Sequence, residues 1–163
     1  AALWKLPVVF ICENKEYSMG TPLTRTMSVD DVSHKAGAYG MAKDRIFVRD
    51  VLEFEARVAE AVERARTTSE PTLIEARTYR FRGHSMSDPG KYRTPAELEE
   101  QKKKDTLAQA RATLVEGGAG EKLAEIEADV EREVEEAVKF AEESPEPSAD
   151  ILEPTTYAGP FAR

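Results

Sequence analysis

The sequence predicts an α/β fold with parallel strands, followed by a helical carboxyl-terminal extension. Two observations carry that prediction. Between Arg45 and Tyr79 a short strand, a strongly periodic helix and a second strand follow one another with brief polar connections, the order that a parallel sheet with crossover helices requires. Beyond Thr94 the strand-like runs stop and two amphipathic stretches with helix-start residues take over.

Taken in order, AALWKL reads as the end of a helix already under way, so the natural protein is expected to extend upstream of Ala1. Val8 to Cys12 is a β-branched and aromatic run, expected as a buried strand. Glu13 to Arg25 is polar and interrupted by Gly20 and Pro22. That makes it a loop at the carboxyl end of a strand, the place where open α/β sheets hold ligands. Ser28 to Ala38 reads as a short helix capped by Ser28 or Asp30 and ended by Gly37 or Gly40. Arg45 to Arg49 is the next strand. Asp50 then starts a helix whose apolar positions Val51, Phe54, Val58, Ala61, Val62 and Ala65 share one face. Thr72 to Tyr79 alternates as a strand. Thr94-Pro95-Ala96-Glu97 opens a helix with a threonine cap, proline at the first position and glutamate at the capping-box position. That helix is expected to reach about Val115, where Glu116 to Gly120 breaks it. Glu121 to Glu142 forms another, with Leu123, Ile126, Val130, Val134, Val138 and Ala141 on one face and acids on the other. The acidic face reads as solvated surface, with a docking surface for a basic partner as the alternative. From 145 to 163 proline punctuates an extended tail. The domain reading is therefore 1–94 for the α/β part, 95–144 for the helical extension and 145–163 for the tail.

Composition excludes several classes of function. The 163 residues carry a formal net charge of −8, which argues against nucleic-acid binding. No apolar run approaches the roughly 20 residues of a membrane span, so no membrane partner is expected. Cys12 is the only cysteine, so no internal disulfide forms and a reducing, cytoplasmic setting is expected. Within its apolar run the thiol reads as buried and inert. His34 lies on a polar stretch and is expected to be exposed, without a catalytic part.

Thr78 to Thr94 departs from this acidic background. Arg77, Arg80, Arg82, Lys91 and Arg93 gather around His84, with Asp88 the sole acid. Cations, an imidazole, Ser85, Ser87 and a Pro-Gly turn suit a loop that handles an anion, phosphate above all. A solvated turn after a strand is the alternative.

The runs LWKLPVVFICENKEYSMGT and PTLIEARTYRFRGHSMSDPGKYRT, followed by an acidic helical end, resemble the alpha subunit of the thiamine-diphosphate-dependent pyruvate dehydrogenase component, in its carboxyl-terminal half. The resemblance extends from Ala1 to about Ser144, and the GHSMSDP run is similar to the pyruvate enzyme more than to branched-chain 2-oxoacid or acetoin relatives. It implies part of a three-layer thiamine-diphosphate-binding fold, oxidative decarboxylation of pyruvate, and acetyl transfer to the lipoyl groups of an acyltransferase. Thiamine diphosphate and magnesium are the implied cofactors. A beta subunit, which shares each active site in a heterotetramer, and the lipoyl domain of dihydrolipoyl acyltransferase are the implied partners.

By position, the resemblance makes Asn14, Lys15, Tyr17, Met19 and His84 cofactor-binding. Tyr17 contributes its backbone carbonyl to the metal, and His84 is the catalytic histidine facing the lipoyl arm. Arg80, Ser85, Asp88, Tyr92 and Arg93 form the docking loop for the lipoyl domain. Ser85 matches a serine that relatives phosphorylate, where added charge disturbs the loop; it is read as unmodified here. Two positions depart from the pattern. Lys15 stands where the second asparagine of a pair ligates magnesium, and an ammonium cannot coordinate a cation, though it can meet the diphosphate. RIFVRD stands where an Asp-Gly step is usual. The Gly-Asp-Gly part of the cofactor motif does not occur in these residues, so the chain alone is expected to be inactive, with uncovered apolar surfaces that lower its solubility. A non-catalytic lipoyl-domain or subunit binding module and a dehydrogenase for another 2-oxoacid or acetoin remain the alternative readings.

Overall fold

A computed structural model describes residues 1–156. Three parallel strands form the central sheet, in the order β1-β5-β4, with β1 Val9–Asn14, β4 Ala42–Phe47 and β5 Thr72–Arg77. Between β1 and β4, β2 (Tyr17–Ser18) and β3 (Thr21–Pro22) pair as a two-stranded antiparallel hairpin. The register is even across the sheet. Val9 and Ala42 both face Thr72, and Asn14 and Phe47 both face Arg77. All three strands therefore end at one edge, and the loops that leave that edge are Lys15 onward, Val48 onward and Thr78 onward.

Alternation along β5 builds layers on both faces of the sheet. Ile74 is fully buried and packs with Ile46 and Ala61, with Val9, Phe54 and Val58 closing the cluster. This places α1, Val51–Thr68, on one face. Asp50 caps it, accepting the Leu52 N–H at 2.8 Å, and Ser69 ends it in the left-handed region with its N–H on the Ala65 carbonyl. Glu75, one residue on, points to the opposite face, where its carboxylate accepts the Val32 N–H at the start of a 3-10 helix, Val32–Tyr39.

Several elements differ from expectation. Ala2 to Lys5 is turn rather than helix. β1 is an edge strand, not a buried one: Phe10 and Ile11 are about half exposed because only β5 flanks it. The polar stretch after it holds the β2–β3 hairpin, whose turn takes Met19 to a φ of 54°. The segment expected as a helix from Ser28 starts only at Val32, because Asp31 supplies the cap by accepting from the Ser33 N–H. β4 begins three residues before the expected start at Arg45, since its pairing with β5 begins at Ala42. β5 stops at Arg77, two residues short of Tyr79.

The helix expected from Thr94 to Val115 is two helices, α2 Pro95–Lys102 and α3 Thr106–Glu116. Asp105 makes the break by capping α3, accepting the Leu107 N–H at 3.0 Å, while the Thr106 hydroxyl donates to the Val48 carbonyl at 2.7 Å. Thr94 caps α2 as expected, accepting from the Glu97 N–H. The reciprocal half of the capping box is not made, because the Glu97 carboxylate is taken by two tyrosines.

The chain divides into two compact units, Ala1–Leu114 and Val115 onward. In the second, α4 Gly120–Glu143 carries Ile126, Val130, Val134 and Val138 as one stripe, each about half exposed. Within the tail expected to be extended, Ala149–Ile151 forms a 3-10 turn and α5 spans Leu152–Thr156. The last residues of that tail lie outside the described residues. No helix among the described residues is long and apolar enough to cross a membrane.

Candidate functional site

Asn14 ends β1 with its side chain turned inward. Its amide donates to the Glu75 carboxylate at 2.6 Å, and its amide oxygen accepts the Glu16 N–H at 2.9 Å. This second bond holds Glu16 in the left-handed region at a φ of 65° and turns the chain sharply away from the sheet. Glu75 itself is fully buried and also lies 3.5 Å from the Arg45 guanidinium. A buried carboxylate needs such partners, and three elements converge on this one.

The turn opens a cleft of about 430 Å³ at the carboxyl edge of the sheet. Asn14, Lys15, Tyr17, Met19, Arg80 and His84, all singled out by sequence, line it together. Lys15 is paired with Glu13 at 3.1 Å at its rim. Arg80 lines it too, and its Nη1 is buried with no hydrogen-bond partner among the described residues. His84 is exposed, with its backbone N–H fixed but its imidazole free of any partner among the described residues. Met19 is also mostly exposed, so it forms wall rather than core. Cys12 lines the cleft as well and is half-buried, not the buried inert thiol expected. Burial, and then the nearby Glu75 charge, push its pKa up.

The docking-loop residues form a lock beside the cleft. Arg93 donates from one guanidinium nitrogen to the Arg80 carbonyl and from the other to the Arg82 carbonyl, the latter at 2.9 Å. The same group stands over the rings of Tyr92, Tyr79 and Tyr17 at 5.3, 5.4 and 6.0 Å. Tyr17 and Tyr79 both donate to one oxygen of Glu97, at 2.9 and 2.8 Å. Burial, followed by that hydrogen bond, pushes the Tyr79 hydroxyl up to about 12. The lock therefore ties the hairpin, the end of β5 and α2 to a single arginine.

Asp88 closes the loop on itself. Its carboxylate accepts the His84 N–H at 2.7 Å, the Gly90 N–H at 2.9 Å and the Tyr92 hydroxyl at 2.7 Å. Those three donors hold its pKa down at about 2. Gly83 makes the fold possible, since a Cβ there would lie 2.9 Å from the Asp88 Cβ and closer still to its carbonyl oxygen. Ser85 sits at the exposed tip, 3.0 Å from Ser87 between hydroxyls. His34 is exposed as expected, 3.5 Å from Asp31 and away from the cleft lining.

Glu75 and Glu97 organise this site and were not singled out from sequence. Glu75 carried a readable signal, a lone acid inside the apolar strand TLIEA. Glu97 did not, because the capping-box pattern already explained it.

Whether the cleft suits an anion or a metal follows from its donors. Lys15, the unpartnered Arg80 nitrogen and His84 suit an anion such as a diphosphate. Among the described residues no group of three histidine, cysteine, aspartate or glutamate side chains is arranged to hold a metal ion, and an ammonium occupies the second position of the Asn14-Lys15 pair. Glu13 and Glu16 also line the cleft, but each is paired with a cation, Lys15 and Arg77 respectively, which leaves Arg80 and His84 as the groups without a carboxylate partner among the described residues.

A model of the family described as dehydrogenase E1 component matches residues 1–150. The chain is 42% identical over 159 residues to the pyruvate dehydrogenase E1 component subunit alpha of Rickettsia bellii, covering 96% of this chain and 49% of that protein. It is 38% identical over 155 residues to the protein of the same name from Rhizobium meliloti, covering 93% of this chain and 44% of that one. The chloroplastic subunit alpha-3 of Arabidopsis thaliana is 38% identical over 162 residues, with 98% and 38% covered. The chain spans about half the length of the Rickettsia relatives it matches.

Proposed function

Because this chain belongs to the dehydrogenase E1 component family, we propose that it contributes the diphosphate-binding and lipoyl-facing part of a pyruvate dehydrogenase alpha subunit. The observation that carries the reading is the cleft itself. One cavity at the carboxyl edge of a parallel sheet gathers Asn14, Lys15, Tyr17, Met19, Arg80 and His84, and a basic loop locked by Arg93 forms its rim. The relatives named above are pyruvate dehydrogenase subunits, which makes pyruvate the proposed substrate.

Thiamine diphosphate is the proposed cofactor, with Lys15 and Arg80 holding its diphosphate by charge-assisted hydrogen bonds. When bound, it supplies the electron sink for decarboxylation. The chain's own residues do the remaining work. Asn14 holds the turn that places Lys15 and Tyr17, and Met19 walls the cleft. His84 stands at the entrance on a loop fixed by its own N–H, where it can pass a proton to the thiolate released when an incoming lipoyl disulfide is opened. Magnesium does not fit the described donors as well as a direct ammonium contact does, so no step is assigned to it. The proposed partners are a beta subunit completing the site and a lipoyl domain of an acyltransferase docking on Arg80, Ser85, Asp88, Tyr92 and Arg93. A cytoplasmic location is proposed from the unpaired Cys12 alone.

The test is reconstitution of the full-length subunit with its beta partner. Pyruvate-dependent release of carbon dioxide and acetylation of a free lipoyl domain are expected together. His84→Ala should abolish lipoyl acetylation while carbon dioxide release to an artificial electron acceptor persists. No turnover of pyruvate, with turnover of another 2-oxoacid, would overturn the substrate.

A further inference from the structure

A second cavity, of about 180 Å³, opens at the same sheet edge on the far side of Glu16, between the ends of β4 and β5 and the start of α3. Its walls include the aromatic side chains of Phe47, Tyr79 and Phe81 and the cations Arg49, Arg77 and Lys104. Three guanidinium groups crowd the Phe47 ring, Arg45 at 5.3 Å, Arg77 at 5.4 Å and Arg49 at 5.9 Å from its centroid. Arg45 and Arg77 are engaged elsewhere, with Asp30, Glu75 and Glu16 as their carboxylate partners. Arg49 and Lys104 have no carboxylate partner among the described residues. Of the two acids in the lining, Glu16 is paired with Arg77, and Asp105 caps α3. Positive charge is left over at this mouth, on a chain that is acidic as a whole.

The lining also holds unsatisfied polar atoms. The Thr78 hydroxyl and the Arg77 Nε are buried and have no hydrogen-bond partner among the described residues. Native proteins pair the great majority of such groups, so two beside one cavity set this wall apart from the rest of the surface.

We infer that this cavity binds a small flat carboxylate, its body between Phe47 and the Tyr79 and Phe81 rings and its charge on Arg49 and Lys104. A stacked guanidinium presents its N–H edge in one plane, which matches a planar carboxylate better than a tetrahedral phosphate. The volume of about 180 Å³ is enough for a single ring or a short acid. The site is independent of the cofactor cleft, with which it shares only Glu16.

Benzoate is the probe, followed by ligand-detected NMR on the whole chain, with benzamide as its uncharged counterpart and inorganic phosphate as the tetrahedral anion. Saturable benzoate binding is expected, with benzamide and the Arg49→Gln and Lys104→Gln variants each weaker by about tenfold or more, the loss of one charge-assisted hydrogen bond. Lys15→Ala, in the other cleft, should leave benzoate binding unchanged, and phosphate should not displace it. Equal binding of benzamide, indifference to Arg49→Gln, loss on Lys15→Ala, or no saturable binding would each overturn the assignment. Arg49 is exposed, so its variant is expected to keep the wild-type circular dichroism spectrum.

Discussion

The Asn14 amide donates to the fully buried carboxylate of Glu75 at 2.6 Å, joining the end of β1 to the middle of β5 beneath the cleft floor. Glu75 spends its other oxygen on the Val32 N–H at 2.9 Å, with Arg45 as the neutralising cation. One side chain therefore ties together Asn14 of the cleft lining, the 3-10 helix beside it and Arg45.

Replacing Glu75 should be costly in a graded way. Glu75→Ala strands the buried Asn14 amide and the Val32 N–H at once and takes one carboxylate from Arg45, which keeps Asp30, and is expected to lose about 3–5 kcal/mol of stability. Glu75→Gln keeps the shape and one acceptor and should lose about 1–3 kcal/mol. Urea unfolding of the two variants and the unaltered chain measures this, and a Glu75→Gln midpoint equal to that of the unaltered chain would show that the carboxylate charge contributes nothing.

Asp88 gives the basic loop an acid limit. Its pKa, held near 2 by the His84 and Gly90 N–H groups and the Tyr92 hydroxyl, lies below the ordinary 3.8. A depressed carboxylate stabilises the loop fully above its unfolded pKa, and that contribution fades as pH falls through the folded value. Amide-exchange protection of His84 and Gly90 should thus be steady above about pH 4 and decline toward pH 2. Asp88→Asn should remove the protection at neutral pH. Protection that ignores both changes would sever the carboxylate from the loop's order.

Two glycines in this region should respond differently to alanine. At Gly83 the new methyl meets Asp88 backbone and side chain together, the Cβ at 2.9 Å, and neither can yield without opening the loop. At Gly20 it meets only the edge of the Tyr92 ring, at 3.0 Å, which can tilt. Gly83→Ala is expected to release the loop to protease cleavage between Arg82 and Lys91, and Gly20→Ala to leave it resistant. Overpacking of this kind typically costs about 1–3 kcal/mol.

What the sequence disclosed follows from how each element is held. The α1 cap and the α4 stripe were legible because both depend on residues close in the chain: Asp50 caps the helix beside it, and Ile126 to Val138 recur at helical spacing. The break at Asp105 was not, since a single capping aspartate and the Thr106–Val48 bond, across 58 positions, decide it. Likewise the basic loop was visible as composition, whereas Glu97's grip on Tyr17 arises only when residues 80 positions apart meet. The exposure of β1 reflects its neighbours rather than its own residues, which read as apolar whether covered or not.

Cys12 provides a reporter inside the cleft. Its pKa is raised, by burial first and the Glu75 charge second, so less thiolate is present at neutral pH than for an ordinary cysteine. Alkylation by iodoacetamide at pH 7 should be slower than for free cysteine, rise through the alkaline range, and slow further when inorganic diphosphate occupies the cleft. Glu75→Gln removes the charge and should speed the reaction at pH 7. A rate untouched by diphosphate would place the anion elsewhere.

Lys15 decides how an anion is held there. Its ammonium is 3.1 Å from Glu13 at the cleft rim, where it offsets a carboxylate that would otherwise draw a divalent cation and keeps further N–H groups for a diphosphate. Diphosphate affinity of the chain, measured by calorimetry, is therefore expected to be nearly independent of magnesium and to fall with added salt, as an interaction between exposed charges does. Lys15→Asn removes the cation and restores a neutral oxygen. That variant should bind diphosphate more weakly without magnesium, by about tenfold for one lost charge-assisted contact, and recover when magnesium is added. Glu13, freed of its partner, adds negative charge that favours the metal in the variant alone. If the unaltered chain required magnesium and the variant did not bind it, the ammonium would have no part in holding the anion, and the metal would have to find its ligands elsewhere.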